Sequence, residues 1–106
     1  MSGNLYAEIP GELPEEAVAI LASGSQVRIE RIVSRGHASP PGFWYDQDEN
    51  EWVAVLQGRA RIAFEGQAQT VSLERGDHLL IEAHQRHRVV STAADRDTIW
   101  LAVFFR

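Results

Sequence analysis

The sequence predicts an all-β protein with one short helix near its N-terminus, and three observations support this fold class. From Gln26 onward apolar and polar residues alternate, which is the period of a strand. Several short apolar runs follow one another at close spacing. The turns between them contain glycines, among them Gly58, Gly66 and Gly76. Many short strands separated by such turns indicate a sandwich or a closed barrel, and closure of a barrel removes exposed strand edges.

The N-terminal quarter is predicted to form an irregular arm followed by the helix. Residues 14–22 place three apolar side chains on one helical face. Pro14 and the acids after it are typical of a first helical turn, and Gly24 lies just beyond the end. We therefore expect an arm and a short helix over residues 1–25 and a β-barrel over residues 26–106, together forming a single domain.

The rest of the chain is predicted to be β-structure, interrupted by a breaker cluster over residues 37–42. Two of the predicted strands, 51–57 and 97–105, are apolar on both faces. Their outer faces need cover, which a homodimer would supply economically and the arm or helix of the same chain would supply otherwise. The predicted strands are 27–33, 43–47, 51–57, 59–65, 68–73, 78–82, 86–92 and 97–105.

Composition excludes several classes of function. The 106 residues contain no cysteine, which excludes disulfides, thiolate metal sites and a cysteine nucleophile. The net charge is −5 and the arginines are scattered, which argues against a nucleic-acid partner. No apolar run is long enough for a membrane span, and the first residues lack the pattern of a signal peptide. A cytoplasmic protein is the expectation.

Two segments that contain glycine carry the functional signal. In the first, Glu51 is followed by six residues and then Gly58; the second begins at Gly76 and includes His87. Strand alternation puts Glu51 and His87 each on a face with valines, so both side chains are expected inside the barrel. A buried carboxylate is costly unless it is paired, protonated or bound to a metal. These two residues are therefore the main site candidates.

These segments resemble the two signature blocks of the cupin superfamily, G-x5-H-x-H-x3–4-E-x6-G and G-x5-P-x-G-x2-H-x3-N. Glu51, Gly58, Gly76 and His87 occupy motif positions, whereas Ser91 replaces the final asparagine. The resemblance implies a cupin-type jelly-roll β-barrel with a small-molecule ligand inside it. It also implies a divalent metal held at the glutamate and histidine positions.

The H-x-H pair of the first block is absent, and its register is ambiguous. With a spacer of four residues its positions hold Trp44 and Asp46; with a spacer of three they hold Tyr45 and Gln47. The N–H of an indole only donates and cannot ligate a metal ion, whereas a carboxylate can. The resemblance therefore predicts metal ligands Asp46, Glu51 and His87, with Gln47 as a fourth. Such a set would suit Mn²⁺, Fe²⁺ or Zn²⁺ in an enzyme acting on a small molecule.

Two functions without metal are also open. Glu51 and His87 could form an acid/base couple, with Tyr45 as a phenolic acid, which resembles the metal-free sugar epimerases of the cupin group. Alternatively, the barrel is a sensor that binds a small carboxylate or sugar without turnover, with Arg86 and Arg88 nearby. The remaining histidines and aromatic residues are expected at the barrel mouth, at the surface or in the core: His37, Phe43, Trp44, His78 and His84.

Overall fold

Eight strands in two facing sheets make up the molecule, as seen in a computed structural model that describes residues 2–106. The five-stranded sheet has the order β1-β2-β8-β3-β6 and the three-stranded sheet has the order β5-β4-β7. All pairings between these strands are antiparallel. The strands are β1 (Ala17–Ser23), β2 (Val27–Ser34), β3 (Asn50–Gln57), β4 (Arg59–Phe64), β5 (Val71–Glu74), β6 (His78–Ile81), β7 (His87–Thr92) and β8 (Thr98–Phe105).

The all-β prediction is confirmed, but the predicted N-terminal helix is wrong. Its residues form β1, which pairs with β2 from Ala17 opposite Val33 to Ser23 opposite Arg28. A short apolar run fits both a helix and a strand, and here the long-range partner decides, because β2 supplies the backbone hydrogen bonds. Over residues 2–106 there is no helix long and apolar enough to cross a membrane.

Two further predicted strands differ from the structure. Residues 43–47 do not form a strand; Tyr45 makes an isolated antiparallel bridge with His87. The fifth strand covers Val71–Glu74 rather than residues 68–73. The segment 43–47 follows two consecutive prolines and a glycine at positive φ, Gly42, and this sequence favours a turn over a longer pairing.

The hydrophobic core lies between the two sheets. Burying each large apolar side chain there contributes roughly 1.5–3 kcal/mol relative to leaving it in water. The inner face of β8 contributes two buried aromatic rings to this cluster, and β3 and β4 provide most of the aliphatic residues. The buried cluster comprises Val53, Val55, Ala60, Ile62, Phe64, Leu73, Ile81, Trp100, Ala102 and Phe104.

The N-terminal arm is fixed to the large sheet by arginine side chains. Nη1 of Arg31 donates to the carbonyls of Leu5 and Ala7, at 3.3 and 2.6 Å. Nη1 of Arg35 donates to the carbonyl of Gly11 at 2.8 Å, and its Nε contacts a carboxylate oxygen of Asp97 at 2.6 Å. The arm thus supplies part of the cover that the outer face of this sheet needs.

Candidate active site between the sheets

A cavity of about 200 Å³ lies between the two sheets, with a largely apolar wall. Tyr45, Gln47, Glu51 and His87 line one part of it. Glu30 from β2 and Glu16 from the segment before β1 complete its polar lining. The apolar wall consists of Val18, Ile32, Val53, Ile62, Ile81, Val89, Trp100 and Phe104.

Glu51 faces the cavity from the inner side of β3 and is only 9% exposed. Its Oε1 accepts a hydrogen bond of 3.1 Å from Nε2 of Gln47. Burial raises the pKa of Glu51 to about 7, and the negative charges of Glu30 and Glu16 add to this effect. The hydrogen bond from Gln47 and the charge of Arg28 act in the opposite direction. Glu51 therefore exists in both protonation states near neutral pH.

His87 begins β7 and is 4% exposed. Its Nδ1 lies 2.9 Å from the carbonyl oxygen of Gln85, which can only accept, so this nitrogen carries the hydrogen. Burial lowers the pKa of His87, although the bond to Gln85 partly opposes this. The neutral ring therefore presents the lone pair of Nε2 to the cavity. Nε2 lies 3.8 Å from Oε1 of Glu51, which is beyond hydrogen-bond distance.

Tyr45 is positioned by His87 through both backbone and ring. The amide of Tyr45 donates to the carbonyl of His87 at 2.7 Å, and the reverse bond measures 3.2 Å. The two rings stack with centroids 5.4 Å apart and an interplanar angle of 25°. Burial raises the pKa of the Tyr45 hydroxyl, and the carboxylates of Glu16 and Glu51 raise it further. Tyr45 is therefore a neutral hydrogen-bond donor at the cavity wall.

The structure resolves the register of the first motif. Tyr45 and Gln47 line the cavity with Glu51, which corresponds to the spacer of three residues. Asp46 points elsewhere: its Oδ1 lies 2.8 Å from Nδ1 of His84, and both side chains are largely exposed. Glu51, His87, Tyr45 and Gln47 are thus brought together, whereas Asp46 is not part of the group.

The donors at the cavity fit a resident divalent metal poorly. Between residues 2 and 106 there is no group of three or more histidine and acidic side chains placed to hold a metal ion. The carboxylates of Glu16 and Glu30 also line the cavity, but they do not form such a group with Glu51 and His87. The amide of Gln47 and the phenol of Tyr45 are weak ligands. Metal binding by Asp46, Glu51, His87 and Gln47 remains a prediction from the sequence.

Sequence reasoning missed two charged residues at the cavity, Glu16 and Glu30. Nε of Arg28 contacts Oε2 of Glu30 at 2.6 Å, and the guanidinium lies 4.3 Å from the ring centroid of Phe104. Arg28 and Glu30 are two residues apart on β2, so strand geometry places them on the same face, and this could have been predicted from the sequence. The position of Glu16 at the cavity could not, because its segment was predicted to be the first turn of a helix.

The other residues considered from the sequence lie outside the cavity lining. Arg86 pairs with Glu65 at 3.3 Å, and Nη2 of Arg88 donates to the carbonyl of Ser39 at 2.9 Å. His78 packs against a tryptophan ring, with centroids 5.6 Å apart. Nδ1 of His37 accepts a bond of 2.8 Å from a backbone amide, and Phe43 meets Tyr45 edge to face.

Comparison with known families agrees with this architecture. Residues 19–104 match the model of the cupin domain family, so the chain belongs to that family. The fold is accordingly a cupin jelly-roll barrel, and the site described above lies inside the barrel.

Solved structures extend the comparison. A protein from Ralstonia eutropha JMP134, described as "a putative mannose-6-phosphate isomerase", is 45% identical, with a TM-score of 0.95 over 99% of this chain and 97% of that one. A cupin superfamily protein from Desulfitobacterium hafniense DCB-2 is 20% identical, with a TM-score of 0.73 over 92% and 83% of the two chains. An RmlC-like cupin with a double-stranded β-helix fold from Methanocaldococcus jannaschii is 15% identical, with a TM-score of 0.70 over 92% and 86%. A search of curated proteins found no match.

Proposed function

We propose that this protein is an isomerase-type enzyme that moves protons on a small carbonyl compound inside the cavity. The observation that carries the proposal is the 3.8 Å separation between Nε2 of His87 and Oε1 of Glu51. Both side chains line the cavity, where a base and an acid this close can act on adjacent atoms of one small substrate.

The proposed reaction starts with Nε2 of His87 as the base. It removes a proton from the carbon next to the carbonyl group, while neutral Glu51 donates its proton to the carbonyl oxygen. The C–H bond breaks, its electrons form the C=C bond of an enol, and the carbonyl π electrons take up the proton from Glu51. The products of this step are the enol, a protonated His87 and ionised Glu51.

The second half of the reaction restores both residues. In an α-hydroxy carbonyl compound the intermediate is an enediol, and ionised Glu51 takes the hydroxyl proton of the carbon that lost its hydrogen. Protonated His87 then delivers its proton to the other carbon, so that the carbonyl group has moved by one position. Tyr45 donates a hydrogen bond to the substrate oxygen and stabilises the charge that develops there.

The 45% identical protein from Ralstonia eutropha supports the reaction class, because its description names an isomerase. An aldose–ketose isomerisation consists of the two proton transfers outlined above. The phosphorylated substrate in that description belongs to the Ralstonia protein. For this chain, the charge of the cavity lining indicates which ligands fit.

Hydrogen exchange in D₂O tests the proposal directly, because enolisation replaces a carbon-bound hydrogen by deuterium. Mannose, fructose and dihydroxyacetone are suitable probes, followed by proton NMR. We expect catalysed exchange with at least one probe, and a loss of about 10²-fold or more in both Glu51→Gln and His87→Gln. The controls are Glu65→Gln and His84→Gln, which change the same residue types outside the cavity.

Two outcomes would count against an enzyme of this type. Exchange that survives in both Glu51→Gln and His87→Gln would show that the pair does not perform the chemistry. Thermal stabilisation by a probe without any exchange would instead favour a non-catalytic binding module, a function with which the largely apolar wall of the cavity is also compatible.

A further inference from the structure

The polar lining of the cavity has an unbalanced charge. Glu16, Glu30 and Glu51 all line it, whereas no arginine belongs to the lining among the described residues. Burial lowers the pKa of the histidine there, His87, and so favours its neutral form, although the bond to Gln85 partly opposes this. A ligand therefore meets three carboxyl groups and no cationic side chain.

The three glutamates are not equivalent. Glu30 is paired with Arg28 at 2.6 Å, and Arg28 also contacts Glu49 at 3.0 Å. Glu51 accepts from Gln47, and its deep burial favours the neutral acid. Glu16 makes no ion pair within residues 2–106. It is the cavity carboxylate whose charge is left uncompensated.

A buried serine holds the carboxylate of Glu16 at the cavity. Ser34 is fully buried, and its hydroxyl contacts Oε2 of Glu16. The indole Nε1 of Trp100 lies 3.0 Å from the same hydroxyl and can only donate. The single hydrogen of Ser34 is therefore free to point at Glu16. This chain of donors limits the freedom of the Glu16 side chain to turn away from the cavity.

His87 also presents an acceptor to the cavity. Its Nδ1 is bonded to the carbonyl oxygen of Gln85, and its Nε2 makes no hydrogen bond within residues 2–106. A ligand in the cavity can therefore donate a hydrogen bond to Nε2. An ammonium group brings three donors and no acceptor, whereas a phosphate brings acceptors and negative charge.

We propose that Glu16 is a specificity-determining residue that makes the cavity select a small ligand with an ammonium group over a phosphorylated one. The proposal rests on the cavity assigned above as the active site, and it concerns the substrate class rather than the reaction. The indole of Trp100 also lines the cavity, and an aromatic ring attracts a cation placed over its face.

Three hexoses of similar size and different charge test this inference: mannosamine, mannose and mannose-6-phosphate. Their affinities are measured by isothermal titration calorimetry at neutral pH and low salt. We expect mannosamine to bind most tightly and mannose-6-phosphate most weakly. In Glu16→Gln the affinity for mannosamine should fall by about two- to fivefold, the order that a partly exposed ion pair supplies. The neighbouring exposed Glu15→Gln is the matched control and should leave all three affinities unchanged.

The result that overturns the inference is tighter binding of mannose-6-phosphate than of mannosamine, or no measurable binding of mannosamine. An unchanged preference in a folded Glu16→Gln variant, checked by circular dichroism, overturns it equally. The deuterium exchange experiment separates the two proposals. Tight binding of mannosamine with no exchange of any probe overturns the isomerase and keeps the specificity. Exchange with mannose-6-phosphate alone keeps the isomerase and overturns the specificity.

Discussion

Nε2 of His87 lies 3.8 Å from Oε1 of Glu51, and burial shifts the pKa values of these two side chains in opposite directions. Loss of water raises the pKa of Glu51 to about 7 and lowers that of His87 from its ordinary 6.5. Burial favours the neutral form of each group, so a carboxylic acid and a neutral imidazole coexist near neutral pH. This is the combination that a proton-transfer site needs.

The stability of the protein should therefore depend on pH through Glu51. Between the ordinary pKa of 4.5 and the folded-state value of about 7, the folded chain keeps a proton that the unfolded chain has lost. The free energy of unfolding should then fall as pH rises through this window, by on the order of 3 kcal/mol, at about 1.4 kcal/mol per pKa unit. Glu51→Gln should remove this contribution.

Urea unfolding of the wild type and Glu51→Gln at several pH values measures the effect. His87 contributes with the opposite sign, because its lowered pKa makes the folded state lose stability as pH falls below 6.5. This contribution is present in both proteins and cancels in their difference. A difference in unfolding free energy between the two proteins that does not change with pH would contradict the raised pKa of Glu51.

The rate of deuterium exchange should have a bell-shaped pH dependence. The reaction needs neutral His87 and protonated Glu51, which coexist between the lowered pKa of His87 and a pH of about 7. The rate should fall above this window because Glu51 ionises, and below it because His87 becomes protonated. Proton NMR at a series of pH values gives the profile. A rate that keeps rising into the alkaline range would instead identify ionised Glu51 as the base.

The sequence predicted the positions of site residues correctly where strand alternation or motif spacing alone determines them. Alternation along 51–57 correctly placed Glu51 on the inner face, and the motif spacing correctly paired it with His87. Asp46 and Gln47 were harder to separate, because a shift of one residue in an extended segment exchanges the inner and outer faces. The backbone bridge between Tyr45 and His87 and the bond from the amide of His84 to the carbonyl of Gln47 fix that register.

The position of Glu16 at the cavity could not be predicted from the local sequence pattern. Its place at the cavity depends on β1 pairing with β2, which brings Ser34 close to the start of β1. The same residues fitted the pattern of a short helix, with acids in the first turn. A contact between residues far apart in the sequence therefore determines both the strand and the charge of the cavity.

Gly58 should tolerate no side chain. Its φ is +83°, and an added Cβ would lie 2.4 Å from Oγ1 and 2.7 Å from Cα of the fully buried Thr98. We expect Gly58→Ala to lower the free energy of unfolding by about 3 kcal/mol or more, because backbone strain and a steric clash add. Gly66→Ala is the control: φ is +84° there, but no atom lies within 4 Å of the added Cβ. Equal urea midpoints for the two variants would contradict the role of Thr98.

Metal retention should be weak and independent of Asp46. The carboxylate of Asp46 lies against His84, outside the cavity, so Asp46→Ala should leave the metal content unchanged. We expect clearly less than one equivalent of Mn²⁺, Fe²⁺ or Zn²⁺ after dialysis, because within residues 2–106 no third histidine or acidic side chain joins Glu51 and His87 in a group placed to hold a metal. Elemental analysis measures this. One full equivalent that disappears in Asp46→Ala would restore the ligand set predicted from the sequence.

We expect the protein to form a homodimer through β1. β1 is an edge strand of the five-stranded sheet, and its Val18 and Ile20 are 58% and 63% exposed. A second copy is a suitable partner because two edge strands related by a two-fold axis present the same apolar surface to each other. Light scattering should therefore give about twice the mass of the chain. Ile20→Glu should give a monomer, whereas the exposed Leu80→Glu on β6, at the other edge of the sheet, should remain dimeric. A monomeric wild type at micromolar concentration would contradict this interface and leave Val18 and Ile20 exposed to solvent.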